Sequence, residues 1–273
     1  MSGPVNDTPI LAIRDLQIDA IPAGGPPRRL VDGVSLSVAA GEVLGIVGQS
    51  GSGKSLSAFA MARLLPDGVR LAGGSVHLGG QRIDDLDEGR MRALRGGRIG
   101  FVFQDPLSSF NPVRTIGSIL IESIRRHQRL DAKPARALAL EMLARMRLPG
   151  KDACVDAYPH QLSGGQRQRA MIALALANGP DLLIADEPTT ALDPTIQLQI
   201  LALLKQQTAG RASILITHDF SVAAAICDRI AVMHQGRLVE SGPAAQVLTD
   251  PQHDYTRSLL RHARLAPAAT GEA

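Results

Sequence analysis

Residues 43–55 read VLGIVGQSGSGKS, an apolar run of strand type that breaks into glycine and closes on Lys54 and Ser55. From Gly48 onward the stretch meets every fixed position of the phosphate-loop pattern G-x-x-x-x-G-K-[ST], with Gln49, Ser50, Gly51 and Ser52 in the variable positions before Gly53. Gly48, Gly51 and Gly53 carry no Cβ and can take positive φ, so backbone N–H groups can turn inward onto a chain of phosphates. The apolar segment 56–65 reads as a helix, whose N-terminus adds partial positive charge at the same point. Lys54 brings a point charge suited to β- and γ-phosphates, and the Ser55 hydroxyl suits a Mg²⁺ ligand. A Gly/Ser-rich surface turn would explain the composition alone. It would not explain a buried strand before it, a helix after it and a Gly-Lys-Ser end. The stretch commits the chain to an α/β fold in which a nucleoside triphosphate sits where a strand meets a helix.

The chain is long enough for such a fold: 273 residues can bury a full core, as one large domain or two small ones. The longest unbroken apolar run, residues 170–177, falls far short of the roughly 20 residues a membrane-spanning helix needs. Residues 1–9 lack the charged start, apolar core and cleavage site of a secretory signal, which points to the cytosol. Cys154 and Cys227 lie far apart with no C-x-x-C spacing, an argument against a zinc site or a disulfide framework. The formal charge of +3 rests almost wholly on arginine, yet aromatic residues are only 3% of the chain, so the arginine runs at 90–98 and 125–129 read as solvated faces rather than a nucleic-acid surface.

Residues 10–20 read as a strand, 21–29 as a Pro/Gly-rich turn, and 30–39 as a second strand on the alternation of Val31, Val34, Leu36 and Val38. This antiparallel pair leads into the phosphate-loop strand. Residues 72–81 resemble a hairpin, and 98–104 a strand ending at Gln104. From 115 to 146 the period turns helical, with a helix at 135–147 delimited by Pro134 and by Pro149-Gly150. The block of about residues 106–177 therefore reads as a helical subdomain inserted in an α/β core. Residues 181–186 and 212–217 return to the short apolar runs that parallel sheets bury, with an amphipathic helix at 195–207 between them. A closing hairpin (230–233 with 237–240), a short helix (244–248) and a disordered tail from Ala266 complete the chain.

Polar residues fall where this layout ends strands or opens a helix. Asp186 closes one buried strand and can hold Mg²⁺ directly or through water, while Glu187 beside it can orient or deprotonate the water that attacks a γ-phosphate. His218 ends the next strand, within hydrogen-bonding reach of that phosphate and water. Gln104 sits at a strand end, where α/β sheets meet their ligands. Singly, each reads equally well as a turn former or surface residue; the phosphate loop upstream favours function. Ser163, Gly164, Gly165 and Gln166 open a helix over 166–177 and form a second anion site. An N-cap explains the glycines, but not a second phosphate-type nest so far from the first.

In this order the segments resemble the ATP-binding cassette (ABC) family of transporter ATPases, over about residues 8–262, with 263–273 left as a tail. The phosphate loop, the Q-loop at Gln104, the signature LSGGQ at 162–166, the Walker B strand ending at Asp186 with Glu187, the D-loop Ala191-Leu192-Asp193 and the switch His218 all match. The resemblance implies a P-loop NTPase (RecA-like) parallel-sheet core with an N-terminal antiparallel β subdomain and the inserted helical one. It implies ATP and Mg²⁺ as ligands, with Glu187, His218 and Gln104 catalytic and Ser55, Gln104 and Asp186 near the metal. Residues 48–55, 163–166 and Asp193 would bind nucleotide, with residues 163–166 serving the nucleotide of a second cassette, identical or paralogous, that faces the first head to tail. Two membrane permease subunits, an extracytoplasmic substrate-binding protein and a place on the cytoplasmic face of the membrane are implied as well, with no nucleic-acid partner. Residues 103–112 (FQDPLSSFNP), 158–166 (YPHQLSGGQ), 185–193 (ADEPTTALD) and 251–260 (PQHDYTRSLL) are similar to the peptide/nickel importer branch, with Asp254 where that branch usually has proline. Some members of the branch carry a C-terminal cysteine cluster for an iron-sulfur centre; this sequence has no cysteine after Cys227, so no such cluster is expected. Cassettes usually stack adenine on an aromatic residue near the first strands, but none precedes Phe59 here. Ile21 or the Arg28-Arg29 pair is expected to cover the base instead, with weak base selectivity.

Overall fold

The computed structural model describes residues 8–148, 151–190 and 192–265. Among the described residues ten strands form two sheets. Strands β1 (Leu11–Ala20), β2 (Arg28–Val38), β4 (Val69–Leu78) and β5 (Gln81–Arg82) make an antiparallel sheet in the order β2-β1-β4-β5. The other sheet takes the order β10-β9-β3-β8-β7-β6, from β3 (Val43–Val47), β6 (Ile99–Val102), β7 (Leu182–Asp186), β8 (Ala212–Thr217), β9 (Arg229–His234) and β10 (Arg237–Pro243). Every pairing in it is parallel except the edge pair of β10 with β9.

The central strands β7 and β8 are buried along their whole length because both their faces are covered. Leu182, Ile184, Ile214 and Ile216 join a core shared with β1, β2 and β4, whereas Leu183, Ala185 and Leu215 join a core shared with helices. A side-chain period of two thus sends alternate residues of one strand into two different cores. The register sets the strand ends side by side: Val102 pairs with Ala185, Asp186 with Ile216, and Thr217 with Val47. Whatever follows these strands meets along one edge of the sheet.

Between β6 and β7 the chain is helical, with helices Pro106–Ser109, Ile116–Gln128, Ala132–Arg145, Lys151–Asp156 and Gly164–Leu176. Ile116, Leu120, Ile124, Ala135, Ala139 and Leu143 recur at helical spacing and are buried. Pro134 does not break this block. It lies in the first turn of Ala132–Arg145, behind Asp131 at the N-cap, where a backbone N–H has no partner within the helix anyway.

Other local differences have equally local causes. The hairpin expected over 72–81 is present, with its turn at Gly79-Gly80, while β4 runs on through Gly73 and Gly74. Gly74 lies where β1 bulges at Asp15, and a Cβ there would stand 2.4 Å from the Asp15 carbonyl oxygen. The helix after the phosphate loop is Lys54–Met61, earlier and shorter than expected, because Leu64 N–H turns back to the Phe59 carbonyl at 2.7 Å. Helices Glu88–Leu94, Phe220–Ile226 and Asp254–Leu265 have no counterpart in the sequence reading. The expected break at Pro149-Gly150, Ala191 and the tail from Ala266 lie outside the described residues.

Candidate nucleotide site

Strand β3 delivers the chain into the loop 48–53, and the helix Lys54–Met61 leaves it, with Gly53 at the N-cap position. Gly51 (φ 78°) and Gly53 (φ 98°) take the left-handed conformation. Gly48 does not, contrary to the reading above: it is required for space, since a Cβ there would lie 2.3 Å from the Met233 carbonyl oxygen. The turn after β9 also pins the loop, Gly236 N–H donating to the Ser52 carbonyl at 3.0 Å. Lys54 is 4% exposed, and its ammonium donates to the carbonyls of Gly48 (2.7 Å) and Gln49 (2.8 Å). Burial pushes the Lys54 amine below its usual range, opposed by the negative charges of Glu187 and Asp186.

Asp186, the last residue of β7, is 2% exposed and accepts a hydrogen bond from the Ser55 hydroxyl at 3.0 Å. Burial raises its carboxyl above the usual range; the Ser55 hydrogen bond offsets part of this, Glu187 adds to it and Lys54 opposes it. Glu187 takes a positive φ of 45°, uncommon for a residue with a side chain, and its N–H donates to the Ile216 carbonyl at 3.0 Å. The backbone thereby turns sharply off the strand while staying tied to the neighbouring one. One carboxylate oxygen of Glu187 accepts from the Gln104 side-chain amide (3.2 Å) and the Thr190 hydroxyl (2.8 Å); the other lies 3.3 Å from His218 Nδ1. Gln104 stands two residues beyond β6 rather than on it. Thr190 was missed in the sequence, where only its position three residues after Glu187 hinted at contact.

Lys54, Ser55, Gln104, Glu187 and His218 line one cavity of about 750 Å³ with the phosphate loop. Arg28, Leu30, Leu56 and Leu259 form the rest of its wall. The pair expected to cover the base is split: Arg28 reaches the cavity, whereas Arg29 is held by Asp19 (2.5 Å) and Asp32 (3.0 Å). Ile21 is not part of the wall, and its N–H is bonded to the Gly68 carbonyl at 2.6 Å.

Ser163, Gly164, Gly165, Gln166 and Asp193 are not brought to this cavity. They line another, of about 500 Å³, with Arg169, Leu192 and Ile196. There Ser163 caps the helix Gly164–Leu176: its hydroxyl accepts from Gln166 N–H (3.3 Å) and its own N–H donates to the Gln166 side chain (2.8 Å), a reciprocal capping box. Asp193 caps the helix Pro194–Thr208 by accepting from Ile196 N–H at 3.0 Å.

Comparison with known proteins bears on the whole arrangement. A family profile described as ABC transporter matches residues 31–190. A probable peptide ABC transporter ATP-binding protein of Sinorhizobium fredii is 45% identical over 254 residues, 92% of this chain and 76% of that protein. A probable D,D-dipeptide transport ATP-binding protein of Escherichia coli is 41% identical, covering 96% of this chain and 83% of its own length. Among solved structures, the dimeric post-hydrolysis state of an ATP-binding cassette bound to ADP and Pi superposes with a TM-score of 0.77 at 30% identity, over 86% of this chain and 98% of that one.

Proposed function

The chain belongs to the ABC transporter family and is an ATP-hydrolysing, energy-coupling importer subunit of it, and we propose that its cargo is a peptide or a related small solute, nickel among them. The observation that carries the catalytic reading is the convergence of Gln104, Thr190 and His218 on the Glu187 carboxylate, at the mouth of a phosphate-loop cavity.

In this reading the loop N–H groups and Lys54 hold the β- and γ-phosphates. Glu187 takes a proton from the attacking water, whose oxygen bonds to the γ-phosphorus as the bond to the ADP oxygen breaks. His218 holds the γ-phosphate and the water in line, and Gln104 fixes the Glu187 carboxylate. The residues present fit Mg²⁺: Ser55 Oγ and a buried Asp186 oxygen stand 3.0 Å apart, a hard-oxygen pair, and Gln104 lines the same cavity as Ser55. Among the described residues no group of three or more His, Cys, Asp or Glu could cage a metal, as suits an ion that draws most of its ligands from phosphate and water. Bound there, Mg²⁺ would neutralise charge on the β- and γ-oxygens.

The separate cavities at residues 48–55 and 163–166 support a head-to-tail pair of cassettes, in which the signature residues of one chain complete the site of the other. Among the described residues no helix is long and apolar enough to cross a membrane. The likeness to transport ATP-binding proteins supports coupling through two membrane permease subunits, with the chain on the cytoplasmic face of the membrane and an extracytoplasmic receptor delivering cargo.

Glu187→Gln tests the mechanism. ATP binding, followed by fluorescence titration, is expected to persist while hydrolysis falls on the order of 10²–10⁴-fold. Wild-type turnover in that variant would remove Glu187 from the reaction. For the cargo, ATPase rate in the reconstituted complex is expected to rise with peptide-loaded receptor; a rise only with some unrelated solute would overturn the assignment.

A further inference from the structure

We propose that the C-terminal helix Asp254–Leu265 builds the nucleoside end of the ATP site, with Leu259 and Arg28 as the groups that cover the base and Tyr255 as a positioning residue for the phosphate loop. The proposal rests on the ATP-binding reading above and adds to it a recognition surface. Among the described residues the cavity wall carries no Phe, Tyr or Trp side chain; Arg28, Leu30, Leu56 and Leu259 come to it from three separate stretches of chain. Arg28 makes no hydrogen bond or ion pair through its side chain among the described residues, in contrast to Arg29, so its planar guanidinium is free to lie on a purine face.

The helix is held in one register against the loop. Backbone N–H groups of Gln252 (2.7 Å) and His253 (3.1 Å) donate to the Glu240 carboxylate on β10, which fixes the segment that enters the helix. The Tyr255 ring stacks on His234 at the end of β9, centroids 3.8 Å apart, and its hydroxyl accepts from Gln49 N–H at 3.3 Å. Leu260 is buried in the helix-side core. Tyr255 and Leu259 are four residues apart and so share a face: the tyrosine touches the loop backbone, and the leucine one turn on reaches the cavity wall. Aliphatic and guanidinium contacts grip a flat ring without matching the hydrogen-bonding groups that distinguish adenine from guanine.

The test compares ATP, GTP and inorganic tripolyphosphate as competitors for a fluorescent nucleotide, with Mg²⁺, on the full chain. Leu259→Ala and Arg28→Ala are each expected to weaken ATP and GTP alike, about three- to tenfold, and to leave tripolyphosphate unchanged. Tyr255→Phe, acting through the loop, is expected to weaken all three alike. Equal losses of ATP and tripolyphosphate in Leu259→Ala, or no loss of either, would overturn the nucleoside contact. A strong wild-type preference for ATP over GTP would overturn the apolar mode of recognition. Should Leu259→Ala fail to fold, Leu259→Gln, of similar volume but polar at its end, carries the same comparison. Failure of the wild-type chain to bind ATP at all would strike the underlying site reading rather than this addition to it.

Discussion

Asp186 holds a carboxylate almost out of water with one hydrogen bond, from Ser55, so its charged form is costly in the protein standing alone. Because the folded carboxyl is raised above its ordinary value of 3.8, the unfolded chain ionises more readily than the native one. The cost is therefore present at neutral pH and disappears as the pH falls through the raised native value toward about 3.8. Asp186→Asn is expected to melt at a higher temperature than wild type at pH 7, to lose that advantage in acid, and to lose the strengthening of ATP binding by Mg²⁺. Melting curves across pH, paired with titrations with and without Mg²⁺, measure all three; an advantage that persisted in acid would show that charge burial is not its source. These site residues were legible singly because each follows an apolar strand. Their hydrogen bonds to one another were not, because Gln104, Glu187 and His218 come from three strands.

Elements of this fold pack where small residues let them. Gly45 lies in β3 against the end of the helix Phe220–Ile226, and a Cβ there would stand 2.8 Å from the Cys227 sulfur. Gly45→Ala is expected to destabilise the protein by about 1–3 kcal/mol, and Cys227→Ala in the same chain to recover much of it. Urea denaturation of the two single variants and the double one gives the coupling, and additive effects would rule the contact out. Burial, with some help from Asp228, pushes the Cys227 thiol up to about 12, so native protein is expected to resist alkylation there and unfolded protein to react. The helix positions expected from period were mostly visible, since apolar spacing is local. The helix Glu88–Leu94 was hidden by its arginines, and Pro134 misled because a proline in a first turn reads as a break in a string of letters.

At the scale of the molecule the site is divided. The phosphate loop and Glu187 share one cavity, and residues 163–166 line another. Ser163→Ala is thus expected to leave ATP binding by the isolated chain unchanged, to cost the helix cap about 1 kcal/mol, and to lower turnover in the assembled pair on the order of tenfold. Turnover per chain should also rise with protein concentration, or with added partner cassette, while ATP affinity of the single chain stays constant. Full activity in a dilute, demonstrably monomeric sample would mean that one chain carries a complete site.

By itself the sequence determined the strand, loop and helix proposed to hold the phosphates, and the identity of the polar residues that end neighbouring strands. Those follow from backbone sterics, apolar period and residue chemistry within a dozen positions. The tertiary structure alone decided which of those residues meet. The order β10-β9-β3-β8-β7-β6 sets β3, from the first half of the chain, between β9 and β8 from the second, and the packing around it brings Tyr255 to the N–H of Gln49 and leaves residues 163–166 elsewhere. In the other sheet, the pairing of β1 with β2 sets Arg29 opposite Asp19, where it also meets Asp32, and leaves Arg28 at the cavity. Such pairings depend on how sheets and helices close over shared apolar faces, a property of the whole packed core that no local stretch encodes.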